Sequence, residues 1–106
     1  MAKDLIFESK KQAETSVPLN GVIKINVDGI IICLTRTPFG YFAFEKTCPH
    51  MSDDLSKGNI NNENEIVCSW HSFRFNLRTG EEVERRCKDL KRYSVVEENN
   101  QLFIHY

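Results

Sequence analysis

Cys48-Pro49-His50 and, after seventeen intervening residues, Cys68-Ser69-Trp70-His71 are the two segments from which the rest of this chain is read. Each offers one thiolate and one imidazole, and together they make a full ligand set for a metal centre. Both sulfurs could hold one iron and both nitrogens a second. The same two-Cys, two-His complement also suits a structural zinc ion. Zinc modules commonly space paired ligands by two to four residues, which the single residue between Cys48 and His50 fits poorly. A third reading makes the cysteines core residues and the histidines bystanders. It has to explain why two of only three histidines follow a cysteine with one or two residues between.

Strand signals surround these segments. Val22-Ile23-Lys24-Ile25-Asn26-Val27 alternates apolar and polar residues, as a half-buried strand does. Asp28-Gly29 predicts a two-residue hairpin turn, with Ile30 to Arg36 as the returning strand. Thr37-Pro38-Phe39-Gly40 predicts a further turn before Tyr41 to Phe44. Glu65 to Cys68 leads into the second ligand pair and Phe73 to Phe75 leads away from it. Tyr93 to Val96 and Leu102 to Ile104 form a terminal hairpin about Glu98-Asn99-Asn100. Short strands punctuated by Gly, Pro and Asn predict an all-β fold, an antiparallel β-sandwich or small barrel. No long helical period is evident, although Ser52 to Gly58 has room for one helical turn. The polar stretch Asn59 to Glu65 reads as an exposed turn. The two ligand pairs then fall on loops at strand tips.

The composition narrows the function classes. The chain has 106 residues, 41% of them hydrophobic, and a net charge of −1, which describes an ordinary single domain spanning 1–106. Such a charge balance gives no reason to expect nucleic acid or an anionic membrane as partner. No apolar run suggests a signal peptide or approaches the ~20 residues of a membrane-spanning helix. A reducing compartment, the cytoplasm, is therefore expected, where thiols bind metal rather than pair as disulfides. Cys33 lies in an apolar run and reads as a small core residue. Cys87, between Arg86 and Lys88, reads as partly exposed, a bystander whose basic neighbours could lower its pKa. Arg85, Arg86, Lys88, Lys91 and Arg92 could dock an acidic partner, but Glu81, Glu82, Glu84 and Asp89 are interleaved with them, which reads as a solvated mixed-charge face. His105 reads as a surface residue.

From Lys46 onward the sequence resembles the Rieske iron–sulfur family. The family's C-x-H and C-x-x-H pairs match the two ligand segments. Asp54-Leu55-Ser56-Lys57-Gly58 is similar to its x-L-S-x-G stretch, and Phe73-Arg74-Phe75-Asn76 with Arg78-Thr79-Gly80 to its x-F-D/N-x-x-T-G segment. Leu90 to Val95 is similar to its L-x-x-Y-x-V strand. The resemblance implies a Rieske-type β-sandwich or barrel with an inserted cluster-binding subdomain over approximately 46–80. It implies a 2Fe–2S cluster held by Cys48, His50, Cys68 and His71, with the cysteines on the inner iron and the histidines on the outer one. It also implies a one-electron carrier, not catalytic alone, between a flavin-dependent reductase and a terminal oxygenase or related redox enzyme. A small Rieske-like subunit of an assimilatory nitrite reductase and a zinc-bound structural module are the alternatives.

Charge explains why this ligand set suits electron transfer at a raised potential. Two Fe³⁺ and two sulfides carry +2, which two thiolates cancel, so one-electron reduction leaves −1. A four-Cys cluster must instead go from −2 to −3, and the His-ligated form lies well above ~−400 mV. High-potential members, by resemblance, place a Ser two residues and a Tyr four residues after the second His, both hydrogen-bonding to cluster sulfurs. Phe73 and Phe75 stand there. A family disulfide between the ligand loops would fall on Asp53 and Trp70, so it cannot form. These departures imply the low-potential, ferredoxin-like branch. Trp70 and Phe73 read either as shielding the cluster from water or as simple packing. Ser72 stands where a Gly commonly follows the second His, and Arg86 to Asp89 lacks the Pro usual in the third loop.

Overall fold

The computed structural model describes residues 2–50, 53–69 and 72–106. The elements run β1 (Lys3–Phe7), α1 (Lys10–Ser16), β2 (Val22–Val27), β3 (Ile30–Thr37) and β4 (Gly40–Glu45). A 3-10 turn (Leu55–Lys57) follows, then the short strands β5 (Asn59–Ile60), β6 (Glu65–Val67) and β7 (Arg74–Asn76). The chain closes with β8 (Arg92–Glu98) and β9 (Gln101–His105). Six strands make a curled antiparallel sheet in the order β1-β9-β8-β4-β3-β2, and β5-β6-β7 make a second sheet. The expected antiparallel β fold is therefore the one observed.

Turn chemistry sets the register of the large sheet. Asp28 and Gly29 have φ of 52° and 85°, and Asn99 and Asn100 have φ of 51° and 65°. Both pairs thus supply the two left-handed residues that a tight hairpin requires, a conformation open mainly to Gly, Asn and Asp. Val27 pairs with Ile30 across the first turn, and Glu98 with Gln101 across the second.

β3 is the spine of the molecule. Ile32, Cys33, Leu34 and Thr35 are all fully buried, so the strand is covered on both faces. Ile32 and Leu34 join Phe7, Ala13, Val17, Val27, Ala43, Leu102 and Ile104 in one core. Cys33 and Phe44 point the other way, into a core with Leu55, Ile60, Ile66, Phe75 and Leu77. Burial pushes the Cys33 thiol up to about 12, with Asp54 adding to the effect. The sequence reading of Cys33 as a core residue agrees with this placement.

β1 was not anticipated, nor were two further features. The first is α1, whose start carries a capping signal: Ser9 Oγ accepts the Gln12 amide at 3.0 Å, and the Gln12 side chain accepts the Glu8 amide at 2.8 Å. Ala13 and Val17 then pack into the core on one face of the large sheet. The second corrects the exposed turn expected over Asn59 to Glu65. Asn59–Ile60 is a strand, and Ile60, Asn64 and Glu65 are buried. Asn61 Oδ1 accepts the amides of Glu63 and Glu65, making a polar turn that folds inward.

Candidate metal centre

The first ligand segment follows β4. The Cys48 amide donates to the Asp53 carbonyl at 2.8 Å, closing a loop, and Leu55 N donates to Lys46 O at 2.8 Å across its base. The second segment leaves β6 in the same manner, with the Cys68 amide donating to the Phe73 carbonyl at 2.8 Å. Each cysteine is thus pinned at the neck of its own loop.

Gly58 allows the two loops to sit together. A Cβ there would lie 2.3 Å from the Val67 carbonyl oxygen, a distance no side chain tolerates. Gly80 serves the third loop likewise. It has φ of 82°, and a Cβ would lie 2.3 Å from the Leu90 carbonyl oxygen.

Cys48, His50 and Cys68 converge, with ligand atoms all within 4.8 Å of one another. Cys48 Sγ and His50 Nδ1 are 3.2 Å apart. Both cysteines are buried and His50 is half-buried, so the sulfurs lie inside and the imidazole toward the surface. This set of two thiols and an imidazole suits iron or zinc. His71 and Trp70 lie outside the described residues, so neither the fourth predicted ligand nor the expected shielding by Trp70 enters this geometry.

Among the described residues, apolar side chains and the Asp53 carboxylate surround the site. Phe75 is fully buried in the core that includes Cys48 and Cys68. Phe73 stacks on His50 with ring centroids 3.8 Å apart and 17° between planes. Asp53 Oδ2 lies 3.7 Å from Cys68 Sγ, linking the loops noncovalently. Ser72, where the resemblance implies a glycine, has φ of 53°, in the left-handed region.

Loop 82–90 departs most from the sequence reading. Glu82 belongs to no solvated face: it is 1% exposed. Its carboxylate accepts from Glu84 N at 3.2 Å and from Arg86 N, Nε and Nη2 at 2.8, 3.1 and 2.9 Å. The Arg86 side chain, foremost, holds the carboxyl down at about 2 against its own burial. Arg86 Cζ in turn lies 3.8 Å from the Phe73 ring centroid. In sequence, an i,i+4 Glu–Arg pair looks the same whether it is solvated or buried, which is why this contact escapes a reading of charges alone. Cys87 is partly buried as expected, but its thiol is raised, by burial and then by Glu82, with Arg86 opposing. His105 is half-buried at the end of β9 and not a plain surface residue.

Comparison with known proteins gives a consistent picture. Residues 9–94 match the family model described as Rieske [2Fe-2S] domain. The ferredoxin component of the p-cumate 2,3-dioxygenase system of Pseudomonas putida is 34% identical over 65 residues, covering 60% of this chain and 55% of that protein. The match thus spans about half the length of that relative. Among solved structures, a chain in the complex of reduced oxygenase and oxidised ferredoxin of carbazole 1,9a-dioxygenase superposes with a TM-score of 0.77 at 20% identity. That match covers 97% of this chain and 92% of the other. A putative nitrite reductase NADPH small subunit superposes with a TM-score of 0.80 at 18% identity, covering all of both chains. At these identities the structural likeness speaks for the fold. Among the described residues, no helix is long and apolar enough to cross a membrane.

Proposed function

The chain belongs to the Rieske [2Fe-2S] domain family, whose cofactor is a Rieske-type 2Fe–2S cluster, and from that premise we propose that it is a one-electron carrier. It would take electrons from a flavin-dependent reductase and deliver them to a terminal oxygenase, without catalysing substrate oxidation itself. Cys48 and Cys68 would bind the inner iron, and His50 and His71 the outer one. Residues 46–80 would form the cluster-binding part of a single domain, with the small sheet as its frame. The cytoplasm, where thiols stay reduced, is the expected compartment.

The observation that carries this reading is the convergence of Cys48, His50 and Cys68 within 4.8 Å on two separate loops. What a bound cluster supplies is storage of one electron at a time. The protein's own residues do the rest. Buried cysteines keep the sulfur side dry, Phe75 and Leu55 fill the space behind it, and half-buried His50 leaves an edge at the surface through which a docked partner can be reached. Electron-transfer encounters of this kind use small, transient interfaces.

Iron and acid-labile sulfide analysis of protein produced in iron-replete medium, with EPR after dithionite reduction, tests the reading. A coloured protein with iron and sulfide in equal amounts and a Rieske-type signal supports it. A colourless protein holding zinc contradicts it and leaves a structural module. The full-length match to a nitrite reductase small subunit keeps a second reading in view. Stable copurification with a sirohaem enzyme favours that subunit role. Turnover of an oxygenase through this chain and a flavin reductase favours the carrier.

A further inference from the structure

Phe73 and Arg86, stacked on His50 and tied down by Glu82, lie outside the ligand set. His50 and Phe73 lie face to face, and the Arg86 guanidinium covers Phe73 at 3.8 Å. Glu82 grips the guanidinium through Nε and Nη2, while Glu84 Oε2 lies 3.4 Å from Nη2. A charge that does not titrate in any accessible range is therefore held one aromatic ring away from the imidazole. Glu82 is sealed from solvent and Glu84 is mostly exposed.

One-electron reduction adds one negative charge at the site. A fixed cation beside it favours that charge, and a fixed anion opposes it. Hydrocarbon between the charges screens the interaction far less than water does. We propose that Glu82 and Arg86 form a redox-tuning ion pair, in which the guanidinium on Phe73 raises the site's affinity for an electron and the carboxylate restrains that effect. This rests on the reading of His50 as a ligand of the outer iron. It also gives loop 82–90 a role of its own: a charged clamp on the ring that flanks the ligand, in a segment without proline.

The test is a redox titration of the cluster-loaded protein followed by EPR, with mediator dyes and dithionite as the electron donor, at low ionic strength. Arg86→Gln should weaken the affinity for an electron roughly tenfold, a fall of about 59 mV for a one-electron couple. Glu82→Gln should shift it by a similar amount in the opposite direction. Arg86→Lys, which keeps the charge, should stay close to the parent. Opposite signs identify tuning by charge. Shifts of the same sign, or no shift, mean that the pair only braces the loop, and overturn the proposal. If either Gln variant fails to retain the cluster, Glu84→Gln removes an exposed charge at the same guanidinium and should raise the potential modestly. An unchanged or lowered value there also overturns it. A parent protein with no Rieske signal refutes the ligand reading itself, and the tuning proposal falls with it.

Discussion

At the scale of single residues, the site is distinguished by what cannot donate a hydrogen bond. Phe75 is fully buried in the core shared with Cys48 and Cys68 and offers only hydrocarbon. Phe75→Tyr should therefore raise the reduction potential, by on the order of 40 mV if the new hydroxyl gains ~1 kcal/mol on reduction. A correctly folded variant with an unchanged or lower potential, measured by EPR-monitored titration, would count against the account. Ser72 carries strain of a different sort. Its φ of 53° is costly for a residue with a Cβ and free for glycine. Ser72→Gly should stabilise the protein by about 0.5–1 kcal/mol, read as a higher urea midpoint with an unchanged slope. A lower midpoint would mean that the serine side chain contributes something the backbone angle does not reveal.

At the scale of elements, the loops are held by close backbone approaches and one buried carboxylate. Gly58→Ala would drive a methyl group into the Val67 carbonyl. It should cost roughly 2–3 kcal/mol and lower the iron content of the purified protein, since the first loop could no longer lie against the second. Full iron occupancy with native stability would show that the loops do not need this contact. The third loop depends on pH through Glu82. Its folded pKa, about 2, lies below the ordinary carboxylate value of 4.5. The stabilisation it contributes is thus complete above about pH 4.5 and is lost as pH falls through about 2. The native protein should exceed Glu82→Gln in urea midpoint at neutral pH, and the gap should close across that window. A gap that persists to pH 2 would remove the ion pair as its cause.

The elements that sequence made legible were those encoded locally. Asp28-Gly29 and Asn99-Asn100 announce their hairpins because few other residues adopt two successive left-handed conformations. The two Cys–His segments stand out because few other uses explain a cysteine and histidine so close together twice, and among the described residues Cys48, His50 and Cys68 converge. What escaped was of two sorts. α1 is only seven residues long, too short for a clear period, although Ser9 and Gln12 carry its capping signal. Glu65, Asn64 and Glu82 are polar residues that tertiary packing buries, and nothing in their neighbours' identities distinguishes them from exposed ones.

At the scale of the whole molecule, β3 joins two cores that do different work. One face, under α1, consolidates the large sheet, and the other supports the loops that bring Cys48 and Cys68 together. The ligand loops, which leave β4 and β6, thus pack against the most deeply buried strand. Phe73 and Phe75 offer no hydroxyl to stabilise the added charge, so the expected potential lies at the low end of the Rieske range. The measurement that tests this most directly is an EPR-monitored redox titration of the purified protein. A Rieske-type signal should appear on reduction, with a midpoint on the order of −150 mV. A midpoint several hundred millivolts higher would contradict the low-potential assignment, and no signal at all would contradict the electron-carrier reading.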